Sequence, residues 1–395
     1  MSVAATFLKK IPQYTRSQRH LWSVLRHGTP RKWMNLARAE YERKTRQTVL
    51  KSSPYLLILD PCNYCNLKCP LCPTGLADLG RPQAMLSFEH FQKYFDPLAP
   101  HLFEAYLHNW GESLLNKQVY RMIEYAQQHN VGTNLSSNFY KTTSEDIDNL
   151  LECGLEYLVI SLDGTSQETY GQYRIGGQCE QVMDNLSELL RRRQARRLKT
   201  PVVEWQFIVM KQTEHQVREA EILAKKIGVD LLRFIPVGMP FEFRNRQEVA
   251  DKWYPTGIEG RVQSDHQEQQ FGQAAKPGPC FYLYRSIVIN PDGGVSPCCV
   301  VYRKNRDFAE LNGETFDVAS LWNNERYVSA RSLYSQETPL NRRATVCDIC
   351  DIFERHPSKR KRASAQSGLV VLQGNKASGT APVAAARSGT SGQAS

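Results

Sequence analysis

The sequence predicts an α/β fold: a partial (β/α)6 barrel followed by a small cysteine-rich domain. Two observations carry that prediction. Six short apolar runs between residues 55 and 235 alternate with helical segments, and strands so separated pair in parallel, because a parallel neighbour needs a crossover that is usually helical. Nine of the eleven cysteines fall within 62–72 or 280–350, which sets a second chemical centre apart from the first. At 395 residues the chain can bury a large core and carry an appendage.

The first segment, residues 1–53, reads as a basic helical extension. Its first fifty residues hold eleven Lys and Arg against Glu40 and Glu42, nearly all of the formal charge of +10. Two short helices are expected, broken at His27-Gly28-Thr29-Pro30, with Thr29 as cap and Pro30 in the first turn. Such an arm suits a weak contact with an anionic membrane surface, an acidic partner or RNA. The reading preferred on sequence is blander: a solvated extension packed by Trp22, Leu25, Trp33 and Leu36. No run of eighteen or more apolar residues occurs, which argues against a transmembrane helix. No long apolar stretch follows the first positive charges, so no secretory signal is read and a cytoplasmic location is expected. There, cysteines serve as metal ligands or reduced thiols rather than disulfides. Cys153 and Cys179 stand alone and read as small, partly buried thiols.

The barrel core is expected over 54–236. Its strands are Tyr55–Asp60, Ala105–Trp110, Val131–Ser136, Tyr157–Leu162, Val202–Val209 and Asp230–Ile235. The helices between them lie near Lys117–His129, Ser144–Cys153, Cys179–Arg193 and Glu214–Ile227, with Thr143 and Asp146 spaced as a capping box. By analogy with full barrels, chemistry belongs at the carboxyl ends of the strands. The residues there are polar or ionisable: Gly111, Glu112 and Ser113, then Ser136, Ser137 and Asn138, then Ser161, Asp163 and Gly164. Singly each is an ordinary turn or cap. Gathered after successive strands, they read as a shared ligand site.

The first strand delivers the chain into Asp60–Pro73, DPCNYCNLKCPLCP. Cys65, Cys69 and Cys72 offer three thiolates in one short loop, leaving a fourth iron of a cluster without a protein ligand and open to a cosubstrate. Cys62 could supply a fourth thiolate, and the same residues would then form a closed zinc knot.

The stretch Cys65-Asn66-Leu67-Lys68-Cys69-Pro70-Leu71-Cys72-Pro73 resembles the C-x-x-x-C-x-x-C loop of radical S-adenosylmethionine (SAM) enzymes. The resemblance implies a [4Fe–4S] cluster whose open iron chelates SAM, and one-electron cleavage of SAM to methionine and a 5′-deoxyadenosyl radical. Trp110-Gly111-Glu112-Ser113 is similar to the Gly-Gly-Glu-Pro loop that holds SAM's amino group, with Trp110 and Ser113 departing from it. Ser136-Ser137-Asn138 resembles the Ser-Thr-Asn segment near SAM, and Ser161-Leu162-Asp163-Gly164 the Ser-x-Asp-Gly segment near its ribose. Tyr173-Arg174 resembles a stretch whose arginine faces SAM's carboxylate. The implied cofactor contacts are therefore Gly111, Glu112, Ser137, Asn138, Ser161, Asp163 and Arg174, with no catalytic proton acceptor assigned.

Residues 237–279 read as a linker and loop layer. In 280–356, Cys280 precedes a strand-like Ser286–Asn290, a turn at Pro291–Gly294, and Cys298-Cys299. Such a hairpin brings Cys280 and Cys298 together. With Cys347 and Cys350 they make four thiolates, enough for a second cluster or one zinc, and Cys299 is an alternative to Cys298. The pattern is similar to the start of the SPASM extension of radical SAM enzymes, which carries auxiliary [4Fe–4S] clusters. His356 and Arg360 stand where further cysteines would continue it, which implies a single auxiliary cluster, as in the shorter Twitch form. Residues 357–395 lack the apolar content to order themselves.

The implied function is hydrogen-atom abstraction by a SAM-derived radical, with a net oxidation or related modification of a small-molecule or carbohydrate-like substrate. A one-electron donor such as a flavodoxin or ferredoxin is implied as partner. The alternatives are a radical SAM maturase of a peptide or protein, and a non-catalytic zinc or nucleic-acid-binding protein.

Overall fold

Seven parallel strands and two short antiparallel ones form a single nine-stranded sheet. The computed structural model describes residues 16–238, 246–256, 277–350, 352–356 and 358. Most of the expected loop layer, residues 239–245 and 257–276, and the expected tail from 359 lie outside the described residues.

In chain order the elements are helices α1 (Arg16–Arg26) and α2 (Pro30–Lys44), strand β1 (Leu56–Leu59), helix α3 (Phe88–Phe95), β2 (Glu104–Tyr106), α4 (Val119–Gln128), β3 (Gly132–Ser137), α5 (Ser144–Glu152), β4 (Tyr157–Ser161), α6 (Gln167–Tyr173), α7 (Cys179–Ala195), β5 (Val202–Val209), α8 (Val217–Ile227) and β6 (Leu231–Pro236). Then come α9 (Arg246–Trp253), α10 (Tyr282–Arg285), β7 (Ser286–Ile289), β8 (Gly294–Ser296), β9 (Ala309–Glu310), α11 (Val318–Trp322) and α12 (Glu325–Arg331).

The sheet order is β6-β5-β4-β3-β2-β1-β7-β8-β9. Strands β1 to β6 pair in parallel in sequence order, as the alternation predicts. The hairpin of the cysteine-rich segment does not stand apart. Strand β7 pairs in parallel with β1, Leu56 opposite Ser286 and Leu59 opposite Ile289, and β8 and β9 continue antiparallel. Both partners are near-continuous apolar runs buried on both faces, as interior parallel strands require. A buried guanidinium then locks the hairpin to the chain that leaves the first cysteine loop. Arg81 donates to Asp292 Oδ1 (2.7 Å), to Asp307 Oδ1 (3.0 Å) and to the Tyr302 carbonyl (2.8 Å).

Local signals are satisfied where the sequence carries them. Thr29 caps α2 by accepting from Lys32 N, and Pro30 occupies its first turn. Thr143 and Asp146 form the capping box of α5, and Asp146 also accepts from Tyr120 Oη at 2.7 Å. Gly228 ends α8 at φ 85°, a left-handed conformation that glycine adopts without a Cβ penalty.

Three readings are corrected. Strand β2 stops at Tyr106 rather than Trp110, because the Trp110 and Gly111 amides turn to Asp60. Residues 246–253, read as part of an irregular layer, form a helix whose Trp253 packs edge-on against Tyr173 at 5.5 Å. Leu25 points outward, Trp33 is half exposed and donates Nε1 to the Val24 carbonyl (3.4 Å), and Trp22, also half exposed, lines a cavity with Thr133 and Tyr157; only Leu36 joins a small cluster with Ala39, Tyr55 and Phe103.

Candidate functional site

The cysteine loop begins one residue after β1, and close backbone packing holds it. Cys72 N donates to the Cys69 carbonyl (3.1 Å) and Lys68 N to the Ile175 carbonyl (2.9 Å). A Cβ on Gly75 would lie 2.5 Å from the backbone of Cys69, and one on Gly111 1.8 Å from the Cys62 carbonyl oxygen, so both positions need glycine. Glu112 N donates to the Tyr64 carbonyl (2.9 Å) and Thr74 Oγ1 to the Trp110 carbonyl (2.7 Å). The loop after β2 is thus clamped on the cysteine loop.

Two polar networks run from the strand ends to the thiols. In the first, the buried Glu112 carboxylate accepts from Ser137 Oγ (2.8 Å), Asn138 N (2.7 Å) and Leu114 N (3.2 Å). Asn138 Nδ2 lies 2.8 Å from Asn66 Oδ1 and 3.6 Å from Cys65 Sγ. Burial pushes Glu112 above the usual carboxylate range, against the pull of those donors. In the second, Asp163 accepts from Ile208 N (2.6 Å) and Arg174 Nε (2.6 Å), and Arg174 Nη1 lies 3.9 Å from Cys69 Sγ. Glu112, Ser137, Asn138 and Cys65 therefore share one network, and Asp163, Arg174 and Cys69 the other, while Gly111 N donates to Asp60. Ser161 is buried at the end of β4 and joins neither among the described residues.

Burial pushes the Cys65 thiol up to about 12 and raises Cys69 as well, so the thiolate forms need compensating positive charge. Cys62 is turned away from this set: its buried Sγ donates to the Glu112 carbonyl at 3.1 Å.

The second set surrounds one pocket. Cys280, Cys298, Cys347 and Cys350 line it together with apolar side chains that include Leu283 and Phe353. Cys299 points instead to Tyr282 Oη, 3.6 Å away. A capping box between Thr345 and Asp348 shapes the Cys347–Cys350 turn, and Arg355 donates to the Asp348 and Cys350 carbonyls. Burial pushes Cys280 up to about 12 and raises Cys298 and Cys347 as well.

A family model described as the iron–sulfur cluster-binding SPASM domain matches residues 280–351. The chain is also 24% identical, over 144 residues, to the AdoMet-dependent heme synthase of Methanosarcina barkeri (strain Fusaro / DSM 804). That match covers 36% of this chain and 41% of the relative, so the chain spans less than half the length of the curated protein it matches. Among solved structures it is similar to Streptococcus suis SuiB bound to S-adenosylmethionine, at TM-score 0.55 and 13% identity over 83% of this chain and 76% of that one. SuiB bound to the precursor peptide SuiA matches at 0.54 and 14%, over 77% and 72%. The enzyme anSMEcpe with bound AdoMet matches at 0.52 and 15%, over 79% and 92%.

Residues 280–351 thus carry the SPASM pattern, and the fold is that of SuiB and anSMEcpe. The donor sets fit iron–sulfur clusters better than single ions. One zinc would draw its thiolates to about 2.3 Å from a single point, whereas a cluster spreads them over separate irons. Among the described residues no three His, Cys, Asp or Glu gather as a single ion requires. Two residues of the site escaped the sequence reading. Asp60, fully buried, anchors the loop before Glu112 by accepting from Trp110 N (2.9 Å) and Gly111 N (3.2 Å). Its position at the end of an apolar strand was the available signal. Asn66 tethers Asn138, and nothing local marks it for that task.

Proposed function

We propose that this protein is a radical SAM enzyme whose Cys65, Cys69 and Cys72 hold a [4Fe–4S] cluster and whose Cys280, Cys298, Cys347 and Cys350 hold a second. Bound there with SAM, these groups supply one-electron cleavage of the sulfonium and hydrogen-atom abstraction by the 5′-deoxyadenosyl fragment. The observation that carries the reading is the double link of Asn138 and Arg174, each of which reaches a cysteine sulfur while held by a buried carboxylate at a strand end.

The chain's own residues have three tasks. Glu112 and Asn138 fix the SAM amino end, and Arg174, steadied by Asp163, meets its carboxylate. Leu67, Leu71, Tyr173, Met210 and Trp253 form an apolar layer around the cysteine loop that keeps water from the reacting groups. The four auxiliary thiols would seat a cluster able to accept an electron, which would suit a net oxidation. A flavodoxin-like or ferredoxin-like donor supplies the first electron.

The substrate is proposed to be a small, carbohydrate-like molecule. Helices α1 and α2 contact the amino ends of the strands, away from the rim, and so offer no peptide-recognition domain beside it. A peptide maturase is the second reading, favoured by the likeness to SuiB, which was solved with a precursor peptide.

Anaerobic reconstitution tests the proposal. About eight irons with 5′-deoxyadenosine release are expected, about four for each cluster. Zinc without iron, and no SAM cleavage, would move the protein to the metal-scaffold class.

A further inference from the structure

Helix α2 is docked inside out. Its inner face carries Lys32, Asn35, Ala39 and Glu42, all buried. Each polar group is satisfied: Lys32 Nζ donates to the Asn130 carbonyl (2.6 Å), Asn35 Nδ2 to the Ser53 carbonyl (2.9 Å), and Glu42 Oε1 accepts from Lys51 N (2.8 Å). The outer face, at helical spacing, carries Trp33, Met34 (68% exposed) and Tyr41 (62%). Helix α1 repeats the arrangement with Leu21, Trp22 and Leu25 (58% exposed). A soluble helix normally places its apolar stripe against the core; here polar contacts dock the helix and the apolar stripe is left outside.

The charge on this surface has one sign. The exposed residues between 21 and 45 include Arg26, Arg31, Arg38 and Lys44 and no acid. Both acids of the segment are drawn inward, Glu42 as above and Glu40 to Tyr55 Oη and Arg285 Nε. Large apolar and aromatic side chains interleaved with arginine and lysine match an anionic lipid interface. There the Trp and Tyr rings sit at the headgroups and the cations meet lipid phosphates. Among the described residues no helix is long and apolar enough to cross a membrane, so the contact is peripheral.

We propose that α1 and α2 form a docking surface for an anionic membrane. Because α1 lies at the amino ends of the strands, with Ser23 Oγ donating to the Phe103 carbonyl (3.1 Å) and His27 between Asn130 and Glu156, the rim bearing the cysteine loop faces away from the lipid.

The test is co-sedimentation of the reconstituted full chain with phosphatidylcholine vesicles, with and without phosphatidylglycerol. Binding is expected only with the anionic lipid, weakening as salt rises. The double substitution Leu25→Glu, Met34→Glu is expected to reduce it about tenfold or more while leaving iron content and thermal midpoint unchanged, since both side chains are exposed. Equal binding by the double variant, or no binding by the parent, overturns the proposal. So does a dimer in light scattering that the double variant dissociates when vesicles are not bound, which would make this face a contact between two copies. The readout needs neither cluster turnover nor SAM, so it stands or falls separately from the catalytic reading.

Discussion

Replacing Asp60 by asparagine tests how the buried strand end supports the cysteine loop. Asp60 Oδ2 accepts from Trp110 N and Gly111 N, while Oδ1 is buried with no hydrogen-bond partner among the described residues. Burial pushes this carboxyl up to about 7, against the pull of those amides. The folded state therefore holds a proton that the unfolded chain, titrating near 3.9, releases. Stability from this group is present below about 4 and is lost as pH rises through about 7. At 1.36 kcal/mol per unit, the ionised form costs roughly 4 kcal/mol once pH exceeds 7, and about half of that at pH 5.5. Asparagine keeps an oxygen for both amides and never ionises. Urea midpoints of the full chain, measured at pH 5.5 and pH 8.5, should therefore favour Asp60→Asn by an advantage that widens by about 2 kcal/mol at the higher pH. Parallel pH profiles for the two proteins would refute the assignment of that cost to Asp60.

Arg81→Met leaves Asp292 and Asp307 buried without their cation, and a urea titration should register a loss of about 3–5 kcal/mol. Changing Cys65, Cys69 and Cys72 together to Ala should abolish 5′-deoxyadenosine release yet retain about four irons; retained cleavage would sink the site assignment. Cys298→Ser should lower the iron count in that triple-alanine background, whereas Cys299→Ser should leave it unchanged, because only Cys298 lines the four-cysteine pocket.

Features set by neighbouring residues were legible in the chain itself. The strand Val202–Val209 has the bounds that its apolar run indicates, and Thr143 with Asp146 caps α5 as their spacing requires. The three cysteines and the polar strand ends could be read because each follows directly on a strand. What could not be read depends on distant partners. The pairing of β7 with β1 joins residues more than 200 apart. The inverted face of α2 is equally hidden. Periodicity reveals that Trp33, Met34 and Tyr41 share one side, but only the polar seats at Asn130, Ser53 and Lys51 decide which side turns inward.

That non-local pairing also sets how far apart the two cysteine sets stand. Strand β1 carries the chain to its carboxyl end, where Cys65, Cys69 and Cys72 follow within thirteen residues. Strand β7 runs beside it in the same direction, but Cys280 lies before its amino end, and the antiparallel β8 brings Cys298 back towards that end. The two sets therefore occupy opposite ends of one strand pair. Four residues at about 3.3 Å each make a spacer of roughly 13 Å. Its length is fixed by backbone hydrogen bonds rather than by a loop, and Arg81 ties the hairpin to the segment leaving the first cysteine loop. The length of that spacer is therefore independent of the loops that carry either cysteine set.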